Sequence, residues 1–356
     1  MASQQYMLYL GSYAKAEQAG IYAFHFASPS GQLTPRWSFA GIVNPSFIAL
    51  HANKRWLFAV SEMSLHSDGR SGEVWALDLA EQGTESQPHE INHQPSNGDW
   101  PCHLTIDASG RWILVSNYQS GNISVFPILT NGALGTLAEN VQHSGHGPNP
   151  ERQEGPHTHS TIFTPDQRFV VVADLGSDQL VIYTFDTTNG KLSEHGRVHC
   201  PPASGPRHMA FHPTGQQFYV SFELNNTVTV YNYDAIQGTF NARQTLSTLP
   251  PDAHENTAAD IHLTPNGSLL YVSNRGNESL AIYTITTGGL LELLAIVPCG
   301  GLCPRNFAFD PTGHFVLVAN QHSDELTVWP LLNSSSEPGQ PPAQIAIPGA
   351  SCVRFG

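Results

Sequence analysis

Apolar positions along this chain fall in short runs rich in β-branched and aromatic residues, each cut off by Gly, Pro, Asn or Asp. Helical periodicity is essentially absent, so the pattern predicts strands joined by tight turns throughout. The runs also repeat. "PSFIALHANKRWLFAVSE", "PCHLTIDASGRWILVSNY", "HSTIFTPDQRFVVVADLG", "PRHMAFHPTGQQFYVSFE", "ADIHLTPNGSLLYVSNRG" and "PRNFAFDPTGHFVLVANQ" share one strand–turn–strand outline. Their turn anchors Ala52, Ala108, Pro165, Pro213, Pro265 and Pro311 lie, by subtraction, 56, 57, 48, 52 and 46 residues apart.

A third strand follows in each unit: "GIYAFHF", "GEVWALDL", "GNISVFPI", "DQLVIYTF", "NTVTVYNY", "ESLAIYTI" and "DELTVWPL", with hairpin turns such as "TTNGKL" and "TTGGLL" after several. Counting "YMLYLGSY" there are seven second strands, and the first strand missing from that opening unit is supplied by "GASCVRFG" at the carboxy end. This predicts an all-β, seven-bladed β-propeller, one domain over residues 1–356, closed by pairing of its two terminal strands. An irregular β-sandwich would leave seven units of similar length unexplained. The polar inserts at about 81–99 and 140–157 read as loops, and the Ser/Pro-rich stretch near 333–342 as a blade-edge turn.

Composition narrows the partners. The chain has 356 residues, 12% of them charged, with a net charge of −14. Nucleic acid and anionic membrane surfaces call for a basic face, so neither is expected as a partner. No apolar run is long enough to span a bilayer, and "MASQQYMLYLGSYA" lacks the basic and apolar regions of a signal peptide. Five scattered cysteines without a CxxC pair suit reduced thiols and a cytoplasmic setting. Against so acidic a background, a local gathering of arginines carries information.

The repeat makes such a gathering visible. Arg207 opens an innermost strand, where its counterparts are Ser46, Cys102, His159, Ala259 and Arg305. Antiparallel pairing sets these beside the second-strand ends, read as Tyr13, Met63, Tyr118, Leu175, Glu223, Arg275 and Gln321. One mouth of the channel then collects His159, Arg207, His208, Glu223 and Arg275 from three neighbouring blades, with Arg305 from the next. Arginines, a glutamate and a histidine in one place suit an anionic ligand and charge developing on oxygen. The bland alternative is ion pairing between blades.

Around this group, "GHGPNPERQEGPHTHS" brings His157 and His159 onto one face and lets Arg152 and Gln153 fold over the mouth. An HxH pair can ligate a metal, but no third and fourth ligand accompany it. A neutral histidine acting as acid or base is the more economical assignment, so neither metal nor cofactor is expected. Asn225, Asn226 and Asn274 read as turn residues, Asp260 and His262 as an internal hydrogen-bond network, and Cys299 and Cys303 as structural. Cys102 has no evident base beside it, and no GxSxG, P-loop or dinucleotide fingerprint occurs.

"GPRHMAFHP", "FELNNTVTVY", "AADIHLTPNG" and "ERQEGPHTHS" resemble motifs of the seven-bladed propeller lactonases, a family that includes a bacterial type of 6-phosphogluconolactonase and the fungal carboxy-cis,cis-muconate cyclase. The likeness runs over nearly the whole chain and is strongest from about 145 to 325, with Phe222 standing where a polar residue often precedes the glutamate. It implies an intracellular, metal-independent hydrolase or cyclase acting on an anionic small-molecule lactone. Its active residues map to His159, Arg207, Glu223 and Arg275, with His157, Arg152, His208 and Arg305 expected to contact substrate. The implied chemistry is lactone hydrolysis. His159, helped by Glu223, takes a proton from water, Arg207 stabilises the oxyanion, and Arg275 holds a carboxylate or phosphate. 6-Phosphogluconolactone of the pentose phosphate pathway is the leading substrate; muconate-type cyclisation, a metal-dependent lactonase and a non-catalytic binding propeller are the alternatives.

Overall fold

The computed structural model describes residues 4–28, 30–64, 71–79, 87–253, 255–331 and 343–356. All regular structure among them is strand, arranged as seven four-stranded antiparallel sheets. Six sheets take their strands in chain order from the centre outward. The first blade instead borrows its innermost strand, Ala350–Phe355, which pairs with Gln4–Ser12 through Leu8↔Phe355, Tyr9↔Arg354 and Leu10↔Val353. The ends therefore close the ring as the repeat requires.

Why the inner strands look continuously apolar follows from their position. Phe169–Asp174, second in its blade, is buried at every residue because neighbouring blades cover both faces. Phe218 and Val220 of the fifth blade pack on Phe169 and Val171 of the fourth. At the closure, Leu8, Leu10 and Phe26 pack on Phe315, Leu317 and Val328 of the seventh. The outermost strands have one side in water, and so they read as polar. His89–Pro95 is the outer strand of the second blade and Glu139–Gln142 that of the third. Both fall in stretches expected to be loops. Their sequences, "HEINHQP" and "ENVQ", carry too few apolar residues to signal a strand. Residues 333–342 lie outside the described residues. No helix among the described residues is long and apolar enough to cross a membrane.

Candidate active site

Each innermost strand begins at the same end of the channel, and in six of the seven blades the ladder breaks there. In the third, fourth, fifth and seventh blades one residue is left out of register: Cys102, His159, Arg207 and Arg305. The sixth blade skips Ala259 and Asp260, and the first skips Ser351. A bulge lets two successive side chains face the same way, where regular pleating would send them to opposite faces. Arg207 and His208 both reach the channel for this reason.

The strand-end residues beside the bulges are identified by one recurring backbone bond. Glu223 N–H donates to Gly205 O at 2.8 Å, Tyr118 N–H to Trp100 O at 2.9 Å, and Glu62 N–H to Asn44 O at 3.1 Å. The second blade thus presents Glu62, not Met63, at the position of Glu223. Glu62 accepts from Tyr13 Oη at 2.7 Å and from Ser46, and Arg305 Nη2 lies 4.0 Å from it. The mouth therefore holds a second carboxylate that the sequence alignment had placed one residue away.

Glu223 is the hub. It is buried, and three guanidinium groups converge on it: Arg207 Nε at 2.9 Å and Arg275 Nη2 at 2.8 Å on Oε2, Arg152 Nη2 at 2.5 Å on Oε1. Burial works to raise its pKa, but Arg275, Arg207 and Arg152 outweigh it and hold the carboxyl well below the usual carboxylate range. A carboxylate so fixed in its ionised form is a counterion and an anchor for arginines. Held ionised in this way it is not a proton acceptor, and any help it gives His159 is that of a fixed negative charge 3.9 Å from the ring.

His159 stands beside this cluster, its Nε2 3.9 Å from Glu223 Oε2 and its Nδ1 4.0 Å from Cys102 Sγ. Burial, and after it the charges of Arg207, His208, Arg305 and Arg275, hold its pKa well below 6.5, so the ring is neutral at physiological pH. Cys102 does have a histidine next to it, yet burial pushes its thiol pKa up, away from the thiolate a nucleophile needs.

A cavity of 390 Å³ opens above, lined by His157, His159, Glu223, Arg152, Arg275 and Arg305 among others. Arg152 folds over it as expected and also donates to Tyr118 Oη at 3.2 Å. Gln153 turns inward, donating to Leu175 O at 2.8 Å and pinning the loop to the fourth blade. Trp100, Tyr118 and His157 form a stacked wall, with ring centroids 6.3 Å and 4.6 Å apart. His157 has little freedom for a metal, since Nδ1 faces Tyr118 O at 3.0 Å and Nε2 faces Glu154 at 3.3 Å. Among the described residues, no three His, Cys, Asp or Glu side chains are grouped to hold a metal ion. Gly176 keeps this segment close: a Cβ there would stand 2.0 Å from Gly155 O and 2.7 Å from His157 N.

Arg207 and His208 do not line the cavity. They lie one level deeper, around a chamber of 10 Å³ that shares Glu62, Cys102, His159 and Arg305 with the cavity above. His208 faces this chamber, its Nδ1 bonded to Asp260. Burial, followed by Arg275, pushes Arg207 down to about 10, still charged at neutral pH.

With this geometry in hand, comparison with known proteins is decisive. Residues 7–355 match the lactonase, 7-bladed β-propeller family. The chain belongs to that family. It is similar to 6-phosphogluconolactonase of Bacillus subtilis strain 168, 34% identical over 353 residues that cover 99% of this chain and 98% of the relative. Among solved structures, a protein from Lactobacillus plantarum superposes with a TM-score of 0.90 at 34% identity, covering 99% of both chains. The periplasmic gluconolactonase PpgL of Pseudomonas aeruginosa does so with 0.91 at 28%, again over 99% of both. The enzyme is a lactonase, and the bulged residues at one channel mouth form its candidate active site.

Besides Glu62, sequence reasoning missed the parts of the cavity wall formed by Trp100 and Tyr118. Tyr118 was visible as a strand end.

Proposed function

We propose that the enzyme hydrolyses a sugar lactone, 6-phosphogluconolactone foremost, and that neutral His159 is its general base. The observation that carries this reading is the His159 imidazole itself: buried, uncharged, on the boundary between cavity and chamber, and held in no close hydrogen bond by its neighbours. His159 takes a proton from water as the water oxygen bonds to the ring carbonyl carbon. The charge that develops on the carbonyl oxygen is met by the guanidinium group of Arg207, an interaction worth a few kcal/mol for a well-placed donor. Collapse breaks the ring C–O bond, and the departing ring oxygen takes the proton back from His159. The new carboxylic acid then ionises, so each turnover releases one proton.

Glu223 fixes Arg207 and Arg275 in place and favours the imidazolium that forms beside it. Arg305 is the guanidinium of the mouth least committed to a protein carboxylate, 4.0 Å from Glu62, and its Cζ lies over the Tyr13 ring, 5.0 Å from the centroid. It is the group we assign to a phosphate or carboxylate on the substrate. The name carried by the Bacillus subtilis relative supports the phosphorylated sugar. We assign the enzyme to the cytoplasm and the pentose phosphate pathway, a reading that five unpaired cysteines suit. The test is kcat/KM for 6-phosphogluconolactone against unphosphorylated gluconolactone. A clear preference for the phosphorylated lactone supports the assignment; equal or reversed preference rejects the phosphate part of it.

A further inference from the structure

The chamber beneath the cavity measures 10 Å³, about the room one water needs. Arg207, His208 and His159 line it together with Ser46, Asn306 and Ser351. Two of these side chains carry hydrogen-bonding capacity that no described residue uses. Arg207 commits Nε to Glu223, while its buried Nη1 has no partner among the described residues. His208 commits Nδ1 to Asp260 Oδ1 at 2.7 Å, and its Nε2 is left over.

Asp260 decides which nitrogen of His208 carries the proton. Its carboxylate also meets His262 Nε2 at 2.9 Å, Asn306 Nδ2 at 2.5 Å and the N–H of Phe307 at 3.2 Å. So many donors keep it ionised, and an ionised acceptor requires the proton of neutral His208 on Nδ1. The lone pair is then on Nε2. A carboxylate–imidazole dyad of this kind fixes a tautomer and a ring orientation.

We infer that the chamber is a binding site for the hydrolytic water, held between the Nη1–H of Arg207 and Nε2 of His208, with Asp260 as the positioning residue that makes His208 an acceptor. The inference rests on the lactonase chemistry proposed above. The water accepts one hydrogen bond from Arg207 and donates one hydrogen to His208 and the other to His159. Its remaining lone pair is free for the carbonyl carbon. No proton moves to His208; His159 remains the base.

Two measurements test this. A high-resolution crystal structure of the wild-type protein is expected to show one ordered water in the chamber, within hydrogen-bond reach of both Arg207 Nη1 and His208 Nε2. A dry chamber, or a water bonded to neither atom, overturns the inference whatever the substrate proves to be. In kinetics, Asp260→Asn lets the amide donate to His208 Nδ1 and moves the histidine proton to Nε2, so the water meets a donor. The expected result is a kcat lowered at least tenfold with KM within twofold. Because Asp260 also braces the seventh blade, His208→Gln and His208→Leu are compared as well. The glutamine, which keeps an acceptor, retains more kcat than the leucine. Equal kcat in wild type and folded His208→Leu overturns the inference, whereas failure of the wild type to hydrolyse any sugar lactone rejects the proposed substrate class.

Discussion

Replacing Glu223 by Gln removes one negative charge from a nest of arginines without changing side-chain size. Its effect on the reaction can be worked from one distance. In the transition state His159 becomes an imidazolium 3.9 Å from Glu223 Oε2. At an effective dielectric of about 20, a pair of unit charges at that separation attracts by about 4 kcal/mol. Complete proton transfer in the transition state would therefore make the substitution cost about a thousandfold in kcat, and half transfer about thirtyfold. The arginines released from their counterion push in the same direction. Stability suffers too, since breaking a buried ion pair from one side costs roughly 3–5 kcal/mol, a fraction of the 5–15 kcal/mol that typically holds a domain folded. The assay is kcat for Glu223→Gln on protein shown to be folded by circular dichroism, alongside its urea unfolding midpoint. Folded Glu223→Gln protein with kcat within threefold of wild type would refute the placement of Glu223 beside the moving proton.

Four further predictions concern the pH dependence of activity, acid stability, anion recognition and the loop. The pKa of His159 is held well below 6.5 by burial and then by neighbouring arginines, and a base must be unprotonated; kcat/KM should thus stay level from pH 7.5 through 6.5 and fall only at lower pH. Glu223 has a folded pKa below its unfolded value of about 4.3, so it contributes stability above that pH and loses it as pH falls toward the folded pKa; acid titration should unfold wild type more steeply than Glu223→Gln. Arg305→Met should raise KM for a phosphorylated lactone at least tenfold and leave KM for the unphosphorylated sugar within threefold, measured by steady-state kinetics. Gly176→Ala should force the Gly155–His157 backbone aside, lower the unfolding free energy by about 1–3 kcal/mol and reduce kcat.

Much of the fold was legible because the propeller repeats itself. Six copies of one strand–turn–strand outline located the inner strands, and the shortage of one strand in the opening unit pointed to Ala350–Phe355 at the end. The outer strands His89–Pro95 and Glu139–Gln142 escaped notice because an edge strand facing water needs few apolar residues. At the mouth, equivalence between blades brought His159, Arg207, Glu223, Arg275 and Arg305 together before any coordinates. Two things stayed hidden. Glu62 falls one residue earlier in "SEM" than the alignment assumed, and a shift of one is invisible without the backbone bond to Asn44. Depth was the other. A bulge turns Arg207 and His208 to the same side, and strand periodicity alone cannot say that both end up beneath the cavity.

The central claim is that His159 drives lactone hydrolysis. Proton release from 6-phosphogluconolactone at neutral pH, corrected for spontaneous opening of the ring, tests it most directly when wild type and His159→Asn are run together. The account predicts rapid release with wild type and a rate near the spontaneous one with folded His159→Asn. Full activity in the variant, or no acceleration of either the phosphorylated or the unphosphorylated lactone by wild type, would contradict it.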